Sequence, residues 1–165
     1  SYQMLFDLLS AQLPDPLTLM KFIMLSQSTW DRVDPITYAP HLLKDHYPDS
    51  PANRHIVMQI GVGDHSVNNL ASDLLARATG IPLLTPSAKN IWGLQPTAAP
   101  ADDALVPVDF KLAKLPGIDC RIPTPDETND VHEGVRRNAK IKRQLDQFFQ
   151  QNGMIQDTCG GPCTP

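Results

Sequence analysis

The stretch Gln59–Asn69, "QIGVGDHSVNN", sets an acid and an imidazole side by side at Asp64 and His65. A carboxylate held against an imidazole fixes the ring's tautomer and stabilises the imidazolium that forms when the ring takes a proton. That chemistry serves a nucleophile, because a serine hydroxyl attacks poorly at neutral pH until a base removes its proton. Asp64 has an equally good structural reading, since an acid between Gly63 and a helical pattern closes a turn or caps the helix. A second histidine, His132, stands in "NDVHEGV", with Asp130 two residues ahead of it as a rival acid. His132 reads either as a base or as a histidine of a surface loop. His65 reads as a neighbour at the helix start or cleft edge, with no chemistry of its own.

Other reactive types lead to less. Cys159 and Cys163 in "TCGGPCTP" have the glycines and proline needed for a tight ring, so a local disulfide is expected, and with it an oxidising compartment. The alternative is two exposed thiols on a tail. Cys120 stands alone in a loop-like stretch. No second Cys or His pair sits at zinc-ligand spacing. The acids Asp126, Glu127, Asp130 and Glu133 do not follow the spacing of a calcium loop and read as a solvated face. Neither metal nor cofactor is expected. Ser1 would suit a hydrolase whose amino-terminal residue is the nucleophile, but such a residue opens a strand, and Ser1 opens a helical pattern.

Whatever groups react, a frame must hold them. The chain has 165 residues, 41% hydrophobic and 19% charged, enough for one core. Its net charge of −4 gives no electrostatic reason to expect nucleic acid or an anionic membrane. The apolar run "TLMKFIML" is interrupted by Lys21 and is too short to span a bilayer. Sixteen prolines lie mainly between periodic segments, as in a loop-rich but rigid frame.

Leu5, Leu8, Leu9 and Leu13 have helical spacing over Tyr2–Leu13. Asp15 and Pro16 open a second helix, apolar almost all round to about Thr29, which predicts burial or a cover over something apolar. Asp34–Pro35 opens a short third helix near Leu43. His55–Gly61 predicts a strand, and Val67 to Ala78 an amphipathic helix closed by Gly80. Asp64 therefore sits at the carboxyl end of a strand, where open α/β sheets gather binding groups. Ile81–Asp103 is a Pro-broken connection with one short strand at Ile81–Leu84, and it carries Trp92. Ala104–Ala113 predicts a second strand, placed at an edge by Pro107. After a long loop, one helix runs from Glu133 to about Gln151, with Val135, Ala139, Ile141, Leu145, Phe148 and Phe149 on its stripe. The order is that of an α/β protein, yet so few strands leave a sheet uncovered, which predicts a half-domain.

In this order the elements resemble the last third of an α/β-hydrolase. "GVGDHSV" matches the turn that carries the family's acid, and "NDVHEGV" matches the histidine loop ahead of the closing helix. The resemblance covers roughly 54 to 151, and the tail "MIQDTCGGPCTP" is similar to that of secreted or lipoprotein-type bacterial members. It implies three parts: a helical lid or cap over 1–50, the carboxyl-terminal part of the core over 51–153, and a Cys-containing tail over 154–165. It implies Asp64 as triad acid and His132 as general base, the family order being Ser, then acid, then His. It also implies a lid over an apolar substrate, with Phe22 and Met24 on the lid helix and Trp92 at the pocket mouth.

The family's Gly-x-Ser-x-Gly elbow is absent; "GDHSV" lacks the last glycine and is already the acid turn. The serine and the oxyanion hole are therefore expected on an upstream part of the same protein, as a partner of this one. Such a protein hydrolyses small esters or lipid-like substrates and is secreted, periplasmic or envelope-anchored. The competing readings are a non-catalytic α/β-hydrolase-like binding protein and, further off, a hydrolase using Ser1.

Overall fold

The computed structural model describes residues 2–112 and 129–165, and the chain divides into two compact units, Ser1–Tyr38 and Ala39–Pro165. Ser1, Cys120, Asp126 and Glu127 lie outside the described residues. Among the described residues no helix is long and apolar enough to cross a membrane.

The first unit contains α1 (Tyr2–Gln12), α2 (Pro16–Trp30) and α3 (Pro35–Tyr38). α2 starts where Asp-Pro dictates: the Asp15 carboxylate accepts the Thr18 N–H at 2.7 Å, and Pro16 stands in the first turn, where a missing N–H costs nothing. Hydrogen bonds from the Thr18 side chain, and then from its backbone, hold the Asp15 carboxyl below its ordinary range. Leu19 is buried, whereas Met20, Phe22, Ile23, Met24 and Leu25 are exposed. The burial predicted for α2 is therefore not reached within this hairpin. A helix that is apolar all round has more than one face to hide, and one partner helix covers a single seam.

The second unit runs α4 (Pro40–Leu43), β1 (Val57–Val62), α5 (Asn69–Thr79), β2 (Leu83–Thr85), β3 (Pro96–Ala98), β4 (Ala104–Asp109), α6 (Val131–Arg137) and α7 (Ala139–Phe148). The four strands form one parallel sheet in the order β1-β4-β2-β3. β1 and β4 pair along six residues, from Val57 opposite Ala104 to Val62 opposite Asp109. Alternation along the strands sends Val57, Ala104, Val106 and Val108 to one side, against Val135 of α6 and Ile141 of α7. It sends Met58, Ile60, Leu83 and Leu105 to the other, against Ala76 of α5, Ile81 and Ile91. Both sheet faces are covered, against the expectation that so few strands would leave the sheet bare, so β4 is apolar at successive positions instead of alternating. Residues 39–50 belong with this unit, where Leu43 packs against the second of these clusters.

Several expectations need correction. β3 was hidden in a stretch expected to hold one strand, because Pro96–Ala98 is too short to show a period. The edge position predicted from Pro107 does not form, since β4 lies between β1 and β2. On the side of β4 facing β2, the N–H groups of Leu105 and Asp109 donate to Pro82 O at 2.8 Å and Cys163 O at 2.9 Å. Pro107 falls between them, where β2 has stopped pairing and the tail has not yet begun, so its missing N–H leaves nothing unmet. The single closing helix is two. Asn138 adopts ψ 122°, its N–H ends α6 on Gly134 O and Val135 O, and its side chain caps α7 at Lys140 N and Ile141 N. Phe149, placed on the apolar stripe, lies past the end of α7 and is 76% exposed.

The tail completes the core. Ile155 is fully buried and exchanges two backbone hydrogen bonds with Ala101. Gln144 of α7 is also buried, taking Gln59 Nε2 at 2.9 Å on its Oε1 and giving its Nε2 to Gln156 O at 2.7 Å. Cys159 and Cys163 form the expected disulfide, with Cα atoms 5.2 Å apart. Ile155→Ala should therefore cost about 2–5 kcal/mol in urea unfolding, and Phe149→Ala less than about 0.5 kcal/mol. Equal losses would contradict this account of the tail.

Candidate active site

β1 and β4 are adjacent and parallel, so the segments that follow them emerge at the same end of the sheet. β1 runs into the turn that carries Asp64. The chain that leaves β4 returns to the described residues at Asn129 and enters α6, whose second residue is His132. α6 lies directly on β1 because Gly61 has no side chain. A Cβ there would collide with Cγ1 of Val131 and stand 2.9 Å from Cγ2 of Val135, both buried. With the helix that close, His132 Nδ1 comes to 2.9 Å from Asp64 Oδ2.

The Asp64 carboxylate is buried and has divided duties. Its Oδ1 accepts the N–H groups of Ser66 at 2.7 Å and Val67 at 2.9 Å, and its Oδ2 faces His132. The turn reading and the partner reading of Asp64 are thus both realised, one on each oxygen. The capping reading is not: α5 is capped by Asn68, whose side chain accepts the Leu70 N–H. A carboxylate only accepts hydrogen bonds, so a ring nitrogen bonded to it, here Nδ1, is the one that carries hydrogen. Nε2 then keeps its lone pair, and among the described residues nothing hydrogen-bonds it. The His132 side chain is 31% exposed.

Two asparagines brace the site. Asn69 accepts the Gly63 N–H at 2.8 Å and donates to Gly61 O at 2.7 Å, so it grips the turn on both sides. The buried Asn129 spans 3.4 Å contacts to Gly63 O and to the Val131 N–H, joining the acid turn to the histidine segment. Neither was singled out from the sequence; for Asn69 the available signal is an asparagine a few residues after a Gly-rich turn. Gly61 had a signal as well, since a glycine inside an apolar strand marks a close backbone approach.

The remaining candidates have other surroundings. The rival acid Asp130 is turned to Arg137 at 3.0 Å, and Glu133 to Arg136 at 2.8 Å. His65 is half-buried, with Nδ1 lacking a hydrogen-bond partner among the described residues. Trp92 is 83% exposed and packs under Arg77, 5.8 Å from its ring centre. α5 leads from the Asp64 turn back to the start of β2, so Arg77 and Trp92 lie at the opposite end of the sheet from the Asp64–His132 pair. Phe22 and Met24 are exposed on α2 of the first unit. Among the described residues no group of three or more His, Cys, Asp or Glu side chains could hold a metal ion. No family model, curated protein or solved structure matches the chain.

Gly61→Ala should lower unfolding stability by about 1–3 kcal/mol, as overpacking does. Val131→Ala added to that variant should recover part of the loss, because it removes the methyl that the new Cβ meets. A strictly additive double variant would contradict the close-approach argument.

Proposed function

We propose that this chain supplies the acid and the general base of a serine carboxylic ester hydrolase of the α/β-hydrolase kind, Asp64 being the acid and His132 the base. The observation that carries the reading is the 2.9 Å bond between His132 Nδ1 and a buried carboxylate, made at the carboxyl ends of two adjacent parallel strands. The nucleophilic serine and the oxyanion hole belong, in this reading, to an upstream part of the same protein. A strand of that part would pair with the free edge of β1. Ile56 O accepts the Ala104 N–H, which turns the main chain of Val57 and Gln59 away from β4, and among the described residues no strand pairs with that edge.

The residues divide the chemistry as follows. Nε2 of His132 takes the proton of the attacking serine and later returns it to the leaving alkoxide. Asp64 keeps the ring in the tautomer that allows this and stabilises the imidazolium formed midway. Its Ser66 and Val67 donors hold the carboxylate still while it does so. The substrate is a small ester or lipid-like acyl compound, and the exposed apolar side chains of α2, Phe22 and Met24 among them, are of a kind that suits an acyl chain. The Cys159–Cys163 disulfide is compatible with a secreted, periplasmic or envelope-anchored protein.

A fluorophosphonate probe applied to the full-length protein tests the reading. It should label a serine outside residues 1–165, His132→Ala should abolish the labelling, and Asp64→Asn should cut kcat/KM about 10⁴-fold. Labelling on Ser1, or labelling indifferent to His132→Ala, would refute it. No labelling of any serine would favour the non-catalytic binding protein.

A further inference from the structure

The disulfide closes a ring of five residues whose centre is a glycine pair, Gly160 at φ 68° and Gly161 at φ 145°. Both angles lie in the region that favours glycine, and glycine loses the most conformational freedom when it is ordered. Such a turn holds its shape at little further cost only while its ends are tied. The tied end matters because of what Cys163 does. Its carbonyl accepts the Asp109 N–H at 2.9 Å, and it forms a parallel bridge with Val108, so it pins the carboxyl end of β4. The next residue, Phe110, packs on α6 at Gly134, where a Cβ would stand 2.9 Å from Cζ of its ring. Cys163 also shares a buried cluster with Val135 of α6 and Val108, and Cys159 packs against that cluster. A continuous set of contacts thus runs from the ring through the end of β4 to the helix that carries His132.

We propose that the Cys159–Cys163 disulfide is a redox strap on the Asp64–His132 site. Closed, it seats Cys163 against β4, and through Phe110 and Val135 it holds α6 where His132 meets Asp64. Opened, it leaves Cys163 held by the Asp109 N–H and by the neighbouring Lys140 Nζ–Thr164 O bond at 3.2 Å, while Asp157 still holds the N–H groups of Cys159 and Gly160. The end of β4 loosens, and the histidine loses its fixed partner. The inference rests on the reading of that pair as the functional site. Residues 155–158 stay docked in either state, because Ile155 pairs with Ala101 and the Thr158 hydroxyl donates to Lys140 O at 2.8 Å, both outside the ring.

The opening reagent is an external dithiol. Its thiolate attacks Sγ of Cys159, which is half-buried where Cys163 is only 5% exposed. The S–S bond breaks, and its electron pair leaves on Cys163 Sγ, which takes a proton. The second thiol of the reagent, as its thiolate, displaces Cys159, and the reagent departs as its own disulfide. Two electrons and two protons pass in all, leaving two protein thiols.

The test compares the oxidised full-length protein with the same protein in dithiothreitol, in a Cys120→Ser background so that Cys159 and Cys163 are the one cysteine pair within residues 1–165. Reduction should speed amide exchange at Asp109 by at least about tenfold and broaden the His132 Nδ1 proton signal, while amides of Ile60 and Leu105 keep their protection. Reoxidation should restore both, and Cys159→Ser, which leaves the buried Cys163 in place, should copy the reduced state. Unchanged Asp109 and His132 signals on reduction would overturn the strap. Equal acceleration at Ile60 and Leu105 would overturn it too, because the disulfide would then be a staple of the whole unit. None of these readouts needs substrate, so a failure of probe labelling refutes the hydrolase and leaves the strap standing, and the reverse holds.

Discussion

The distance between α6 and β1 governs the rest of the site. It is set by a missing side chain: at Gly61 the helix residues Val131 and Val135 rest on bare backbone. Because β1 and β4 run in parallel and in register, the acid turn and the histidine helix emerge at one end of the sheet. Gly61 then lets the second approach the first closely enough for a hydrogen bond. Gly134 repeats the device one layer out, where Phe110 occupies the space a side chain would take. Two glycines thus convert strand order into a 2.9 Å contact.

That contact is held from the acid's side. A buried carboxylate is costly unless its oxygens have donors, and Asp64 has two backbone N–H groups besides the imidazole. Asn69 fixes the turn that supplies those donors, and Asn129 ties the turn to the segment in front of His132. The pair is therefore braced by backbone and side-chain amide groups. The neighbouring charges are engaged elsewhere, Asp130 with Arg137 and Glu133 with Arg136. Among the described residues no hydrogen bond reaches Nε2 of the ring.

Much of this could be read from the residues. The strand at β1, the turn, the helix closed by Gly80 and the Asp15 cap all have strong local chemistry, and local chemistry is what a single sequence exposes. β3 and the break at Asn138 were missed for a common reason. Three residues carry no period, and one Asn with good helical flanks looks like continuing helix until its side chain is seen capping the next segment. Pro107 misled because the usual rule assumes that a neighbouring strand runs the full length of its partner, whereas β2 meets β4 only at Leu83 and Leu105. Asp64 and His132 were legible as candidates. Their contact was not, because it depends on the Gly61 approach and on a parallel pairing that only the folded sheet supplies.

One hydrogen decides how the site works: in the neutral His132 ring it sits on Nδ1, and Nε2 keeps a lone pair. A long-range proton–nitrogen correlation spectrum of the folded protein, recorded where the ring is neutral, reads this directly. The Nδ1–H tautomer is predicted for the native chain, with a mixture of both tautomers once Asp64→Asn weakens the acceptor. A native His132 found as the Nε2–H tautomer would contradict the account, because Nδ1 would then have no hydrogen to give Asp64 and Nε2 no lone pair with which to act as a base.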